Sequence, residues 1–204
     1  MCSHSDLQLL ETFAVHGSRP ANLPRHLDRL AASARYFGFP FDRATLEQQV
    51  AQLSGTALVR VRLSADGRLT VEPRELAPLP SPARLAIDTV PIDPASEYLR
   101  HKTTIRDHCT EALARHPRAD DVVLITPDGN VTETTIANLV VQLRGRWVTP
   151  PVADGCLPGI GRQLLLEQGV TERSVSVTEL REARGIALVS SARGVRRARL
   201  ARLE

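Results

Sequence analysis

An α+β fold in two α/β halves is what this sequence predicts, and three observations predict it. The element signals run strand, helix, hairpin and then strand, helix, meander, helix, strand, which is not the strict alternation of an all-parallel sheet. The stretch "EPRELAPLPSP" (72–82) carries four prolines in eleven residues, too many for a regular element. Hydrophobic residues make up 42% of the 204 and aromatic ones 3%, so the core must be aliphatic. The division that follows is a small N-terminal domain over 1–75, a linker over 76–83 and a larger C-terminal domain over 84–204.

Each element has its own signal. "LQLLETFAV" (7–15) reads as a strand, closed by the turn "HGSRP". "LPRHLDRLAASARYFGF" puts Leu23, Leu27, Leu30, Ala31 and Ala34 on one helical face, and Gly38 and Pro40 end it. Asp42 caps a second helix with Leu46, Val50 and Leu53 at helical spacing. "TALVRVRL" alternates with period two, meets Asp66-Gly67 and continues into "RLTVEPREL", a hairpin. Beyond the prolines, "RLAIDTV" opens the second half as a strand. An amphipathic helix carrying Ile105, Cys109 and Leu113 follows, with Lys102 at its entrance. The turns "PDGN" and "RGR" then separate three β-rich runs into an antiparallel meander. After Pro150-Pro151 a glycine-bearing loop enters the helix "RQLLLEQG", and "RSVSVT", a short helix and "IALVSSARGV" complete the chain.

Charge and cysteine usage narrow the class. Lys and Arg number 26 against 23 Asp and Glu, a formal +3, and nearly all the basic residues are Arg. The run "RGVRRARLAR" (193–202) supplies most of the excess and reads as a solvated terminal segment. No aromatic stacking residue or nucleic-acid motif accompanies it, so no nucleic-acid partner is expected. Cys2, Cys109 and Cys156 are odd in number and far apart, which reads as small thiols in a reducing compartment. "MCSHSDLQLLETF" is charged early and lacks a long apolar run, so neither a signal peptide nor a membrane span is expected, and the location is cytoplasmic.

Five features could carry chemistry. Lys102 sits between His101 and Thr103-Thr104, and Glu133 follows the hairpin turn in "NVTETT". A buried carboxylate there would need a cationic partner. "LPGIGR" (157–162) sets Pro158 and two glycines before a helix. The open N–H groups of Ile160, Gly161 and Arg162 and the helix dipole would suit a phosphate. It is neither a Walker A loop nor a GxGxxG motif. Arg29 lies on the polar side of the first helix, by itself a surface arginine, and "VSSARG" (189–194) places two hydroxyls and an arginine after an apolar strand. Together these are the parts needed to hold pyridoxal phosphate: an amine for its aldehyde, a carboxylate for its ring nitrogen, and donors for its phosphate. No metal site is expected.

The segments "HLDRLAASARYFGF", "HKTTIR", "PDGNVTETTIANLV", "VTPPVADGCLPGIGR" and "SSARGV" resemble, in order, those of the class IV aminotransferase family, the fold-type-IV pyridoxal-phosphate enzymes. The resemblance spans most of residues 7 to 198. It implies a two-domain, D-amino-acid-aminotransferase-like fold with the cofactor, pyridoxal 5'-phosphate, between the domains, usually in a homodimer. It implies Lys102 as the catalytic lysine that bonds the cofactor, Glu133 as the partner of the pyridine nitrogen, and Arg29, Ile160, Gly161 and Ser191 as phosphate contacts. Arg106 and Arg193 would receive substrate carboxylates. The chain begins almost at "LLETF", so the family's extra N-terminal strand and "YGxxxFET"-like segment are shortened to Glu11-Thr12. Substrate groups from that region would be absent or come from a partner subunit.

Within the family, "HKTTIR" with Arg106 after the lysine looks like 4-amino-4-deoxychorismate lyase, especially the lyase domains fused to aminodeoxychorismate synthase. Branched-chain enzymes carry Gly-Asn-Tyr after the lysine, and Asp107 stands where their tyrosine would. The "TRG"-type segment of D-amino-acid aminotransferases is replaced by "RVRLSADG". The expected reaction is conversion of 4-amino-4-deoxychorismate to 4-aminobenzoate and pyruvate, in the folate pathway, with a synthase as the expected partner. The alternatives are an amino-acid aminotransferase of branched-chain or D-amino-acid type, and a non-catalytic relative acting as a binding module.

Overall fold

Period-two alternation fixes the first sheet. In β1 (Gln8–His16) residues Leu9, Phe13 and Val15 enter a core, and Glu11 shares their face of the strand. The computed structural model describes residues 7–201, so Cys2 and the start of "MCSHSDLQLLETF" lie outside the described residues. After β2 (Arg19–Pro20), helix α1 (Leu23–Phe37) lays Leu27, Leu30 and Ala34 onto that core and ends at Gly38, whose left-handed φ of 72° closes the helix. Asp42 caps α2 (Arg43–Ala51) through the Thr45 N–H at 3.1 Å. The hairpin of β3 (Ala57–Ser64) and β4 (Leu69–Arg74) completes an antiparallel sheet of order β2-β1-β3-β4.

The proline-rich stretch begins later than its composition implies. Pro73 is paired with Val59 inside β4. A proline is tolerated there because β4 is an edge strand, where a missing N–H breaks no ladder on the outer side.

The second sheet starts with β5 (Ala83–Ile87), followed by α3 (Glu97–Arg100) and α4 (Asp107–Arg115). The expected amphipathic helix therefore starts later, at Asp107, and a separate short helix precedes Lys102. Cys109 and Ala112 face the core while Leu113 is exposed, and Lys102 and Ile105 are outside either helix. The reason is a competing strand: Thr103 forms an isolated antiparallel bridge with Leu9, which holds the backbone extended where a helix would have begun.

The meander comprises four strands rather than three runs: β6 (Asp121–Ile125), β7 (Asn130–Thr134), β8 (Asn138–Leu143) and β9 (Arg146–Thr149). A tight turn splits "TETTIANLV", with the Thr134 N–H donating to Ala137 O at 2.8 Å. Helix α5 (Ile160–Glu167), the short strands β10 (Thr171–Glu172) and β11 (Val175–Ser176), and α6 (Val177–Arg181) follow. The chain then enters β12 (Gly185–Ser190) and β13 (Gly194–Leu200).

The arginine-rich run expected to be a solvated terminal segment is thus an interior strand, β13, between β12 and β5. Its Ala198 and Leu200 pack on the core while Arg197 and Arg199 stay exposed. That is a period-two strand in which arginine fills the outer positions. Strands β8-β12-β13-β5-β6-β7 follow one another, and β7 pairs back onto β8. Six strands therefore close into a ring, mixed in direction because β5 runs parallel to both β13 and β6. Leu85, Val123, Val131, Leu139 and Leu188 fill one core beneath it.

The chain divides into two compact units, one running to Pro78 and including His101–Ile105, the other comprising Leu79–Arg100 and Arg106 onward. Both contain sheet and helix, and the class is α+β as expected.

Glu11 is the polar exception on the core face of β1. It is 2% exposed, and α1 supplies its partners: His26 Nδ1 at 2.6 Å, Arg29 Nε at 2.8 Å and Arg29 Nη2 at 2.7 Å. Burial pushes its pKa up, but the Arg29 charge and the hydrogen bonds from His26 and Arg29 outweigh it, leaving the carboxyl lowered from 4.5 to about 2. A carboxyl depressed in the folded state contributes its stabilisation above the unfolded value and loses it as pH falls through that interval. The linkage is worth about 3 kcal/mol. Glu11→Gln is therefore expected to lower stability at pH 7 by about 3–5 kcal/mol and to flatten the loss between pH 5 and pH 2.5. Urea midpoints of both proteins across that range check it; parallel curves would assign the acid sensitivity elsewhere.

Candidate active site

Closure of the strand ring places Glu133. It lies opposite Asn138 across the turn joining β7 and β8. Asn138 is buried, and its Nδ2 donates to Glu133 Oε2 at 3.0 Å and to Leu157 O at 2.9 Å. The Leu157 N–H donates to Glu133 Oε1 at 3.1 Å. Both carboxylate oxygens are held, and the loop entering α5 is stitched to the ring at the same point. Charge-assisted bonds of this kind keep a half-buried carboxylate in one rotamer.

The same turn is braced from behind. Buried Asp121 accepts from the Thr135 N–H at 3.0 Å and the Thr135 hydroxyl at 2.6 Å. Arg106, just ahead of α4, donates from Nη2 to Thr135 O and lies 3.5 Å from Cys109 Sγ. Its guanidinium is thereby fixed two residues beyond Glu133.

Leu157 leads into the glycine loop. A Cβ on Gly159 would stand 1.8 Å from Asn138 Oδ1, and one on Gly161 would stand 2.7 Å from Ser190 C and 3.0 Å from Ser191 N. Two close approaches, rather than unusual backbone angles, require these glycines. Gly159 is the N-cap of α5 and no side chain caps it, so the first-turn N–H groups of Ile160 and Gly161 are not closed off by a cap. Arg162 turns away: it is buried and donates from Nε and Nη2 to Pro150 O at 3.1 and 2.9 Å, pairing also with Glu172. An uncapped helix start, backed by Ser190-Ser191 and joined through three residues to a fixed carboxylate, fits a phosphorylated pyridine ring. Arg193 follows, half-buried, with its N–H 3.4 Å from Ser190 O.

The other unit holds Lys102 and Arg29, and both are fastened to β1. The Leu10 N–H donates to Lys102 O at 2.8 Å, and the Thr104 N–H donates to Gln8 O at 3.0 Å. Arg29 is no surface arginine: its side chain is 14% exposed and meets Glu11, the next residue of β1, with two nitrogens. Lys102 is the only lysine in the chain; the other 25 basic residues counted with it are arginines.

One unit therefore brings Glu133, Ile160, Gly161 and Ser191 onto one continuous path, with Arg106 beside the Glu133 turn and Arg193 beyond Ser191. The other carries Lys102 and Arg29, fastened to the adjacent residues Leu10 and Glu11 of β1. Sequence reasoning missed Asn138, Asp121 and Glu11. For Glu11 a signal existed, since an acid interrupted a run of apolar residues in a strand. Neither thiol among the described residues is a competing nucleophile. Burial raises the pKa of Cys109 and raises that of Cys156 to about 12, so both are protonated at neutral pH. Among the described residues no cluster could hold a metal ion, and no helix is long and apolar enough to cross a membrane.

Comparison with known proteins agrees in sequence and in fold. The family description "Amino-transferase class IV" matches residues 8–201. A Schizosaccharomyces pombe protein provisionally named an aminodeoxychorismate lyase is 34% identical over 157 residues, covering 72% of this chain and 68% of its own. The crystal structure of a provisionally named amino-acid aminotransferase from Mesorhizobium loti superposes with a TM-score of 0.88 at 29% identity, over 96% of this chain and 100% of that one. That of a provisionally named 4-amino-4-deoxychorismate lyase from Legionella pneumophila gives 0.82 at 26% identity, over 95% and 82%.

The packing of Gly161 against backbone is directly testable. Gly161→Ala is expected to cost about 1–3 kcal/mol, because the Ser190-Ser191 main chain must move. Chemical denaturation of the purified protein measures it.

Proposed function

The chain belongs to the class IV aminotransferase family, whose members are pyridoxal-5'-phosphate enzymes, and from that premise we propose that it is a 4-amino-4-deoxychorismate lyase, forming 4-aminobenzoate and pyruvate. The observation that carries the site is the solitary lysine. A chain that meets every other cationic need with arginine keeps one lysine, and arginine cannot replace it in an amine reaction because its guanidinium never loses its proton. The sequence around that lysine favours the lyase: Arg106-Asp107 follows "HKTTI", and the similar S. pombe protein bears the lyase name.

When bound, pyridoxal 5'-phosphate supplies an aldehyde that condenses with a primary amine and a pyridinium ring that accepts an electron pair. Lys102 holds the cofactor through Nζ. With the cofactor bound, Nζ would also be the base placed to take the proton from the amine-bearing carbon of the substrate. Glu133, pinned by Asn138 and Leu157, accepts the hydrogen bond of the ring nitrogen and keeps that nitrogen protonated. The first-turn N–H groups of Ile160 and Gly161, Ser191, and Arg29 oriented by Glu11 hold the phosphate. Arg106, its guanidinium braced on Thr135 O, receives a substrate carboxylate, and Arg193 is the second candidate for one. Departure of the enolpyruvyl group makes the substrate ring aromatic, which drives the step forward. A homodimer, a synthase that delivers the substrate, and a cytoplasmic location belong to the same proposal.

A second reading, an amino-acid aminotransferase, is favoured by the Mesorhizobium loti structure, matched over its whole length. It uses the same residues up to proton removal and ends by releasing a keto acid. Supplying 4-amino-4-deoxychorismate is expected to yield 4-aminobenzoate and pyruvate in equal amounts. Glutamate formed from amino donors and 2-oxoglutarate, without pyruvate from the first substrate, overturns the lyase reading. Lys102→Ala is expected to lose the yellow colour of the bound cofactor and all measurable turnover. Arg106→Ala is expected to raise KM about 30-fold, the loss of one charged hydrogen-bonded pair, with kcat changed less than threefold in steady-state assays.

A further inference from the structure

The residue before the lysine is held more firmly than its backbone requires. His101 Nδ1 and the Ser33 hydroxyl of α1 are 2.9 Å apart, and Ser33 is buried. The Tyr36 ring, one turn on, stacks on the imidazole with centroids 4.4 Å apart and planes 28° apart. Phe37 meets it edge-on at 5.0 Å and 73°. Three residues on one face of α1, at i, i+3 and i+4, thus grip a single imidazole. Tyr36 gives up burial to do so: it is 58% exposed, although aliphatic positions of α1 serve the core. The grip itself is what its position explains.

On the other side of Lys102 the main chain is tied to β1. Its own carbonyl accepts from Leu10, Thr103 bridges to Leu9, and the N–H and side chain of Thr104 both bond Gln8, the side-chain oxygen accepting from the Gln8 N–H at 3.0 Å. The lysine therefore sits between two anchors of different kinds, a side-chain clamp before it and a main-chain bridge after it. Neither α3 nor α4 contains it, so no helix supports its backbone.

We propose that His101 is a positioning residue for Lys102: gripped by Ser33, Tyr36 and Phe37, it fixes the peptide that precedes the lysine, so that the amine leaves a backbone constrained at both ends. This rests on the reading of Lys102 as the residue that bonds the cofactor. A loosened backbone must be re-ordered each time the amine reacts. Freeing one residue's backbone slows such a step by about tenfold. The effect falls on steps made by Nζ and spares substrate binding, so kcat drops while KM holds. The two halves of the grip are separable. Phenylalanine at 101 keeps the ring contacts and loses the hydrogen bond; asparagine keeps a hydrogen-bonding group near Ser33 and loses the rings.

The test uses the fact that the chain has one lysine. Apoprotein is mixed with pyridoxal 5'-phosphate, the imine is followed by its absorbance, and borohydride fixes it for peptide mapping. In the wild type the label is expected on Lys102. His101→Ala is expected to form the same imine about tenfold more slowly and to turn over about tenfold more slowly with KM changed less than threefold. His101→Phe and His101→Asn are each expected to recover part of the rate, and Ser33→Ala, which removes one hydroxyl, to lose about threefold. An imine rate in His101→Ala within twofold of wild type overturns the positioning role, as does a lower melting temperature with unchanged imine rate and kcat. If Lys102→Ala is labelled by borohydride as strongly as wild type at another site, the Lys102 reading fails and this inference falls with it. Label on Lys102 combined with an indifferent His101→Ala sinks this inference alone.

Discussion

One buried asparagine sets both the architecture of the larger unit and the geometry of its carboxylate. Asn138 is where β7 returns onto β8 and closes the strand ring. Its amide simultaneously holds Glu133 and the loop that launches α5. A polar group buried there must be satisfied, and its two partners are the two groups the site needs in register. Gly159 completes the constraint, because any side chain at 159 would occupy the Asn138 oxygen. Barrel closure, carboxylate rotamer and helix start cannot be altered independently.

Elsewhere, too, several buried polar groups are met by more than one donor, and arginine supplies most of the cations. Glu11 is met by Arg29 and His26, Asp88 by Arg115 through two bonds of 2.9 and 2.6 Å, and the Pro150 carbonyl by two nitrogens of Arg162. The planar guanidinium answers a carboxylate or carbonyl with two donors, at a smaller entropy loss per bond than an ammonium. Such sets add modestly to stability, since desolvation offsets much of the attraction, but breaking one partner leaves a buried charge. They therefore act mainly to fix direction. Arg29 and Arg106 show it: each is oriented by a partner that is itself held by the sheet.

What the sequence disclosed and what it hid divide along local and non-local physics. The strand of 8–16, α1 with its Gly38 closure, the Asp42 cap and the Asp66-Gly67 hairpin depend on residues a few positions apart, and all were legible. The late start of the helix after Lys102 was not, because its cause is Thr103 meeting Leu9, ninety-four positions away. Strand β13 was misjudged for a different reason. Four arginines between residues 193 and 199 mask a period-two pattern whose apolar members are Ala198 and Leu200. The candidate site residues came from the sequence as a set, whereas their bracing was not legible there. Asn138, Asp121 and Glu11 act through contacts that only the fold creates, and an asparagine or acid in a strand gives no local sign of the partner it will find.

The contrast between the 25 arginines and the single lysine then becomes a statement about protons. Arg29, Arg106, Arg115 and Arg162 are used as permanent cations: each fixes a carboxylate, a carbonyl or a turn, and its value lies in never being deprotonated. A group that must act alternately as nucleophile, base and acid needs the opposite property, an amine whose proton can leave near neutral pH once its surroundings favour the free base. On the proposed reading of Lys102, the protein separates the two tasks by residue type. Such an amine is also a long, flexible chain whose placement is costly in entropy, and arginine-style bidentate anchoring of its head group would tie up the very atom that reacts. Constraint applied to the backbone beneath it avoids that cost. That is where the structure puts it, with β1 on one side of Lys102 and the His101 clamp on the other.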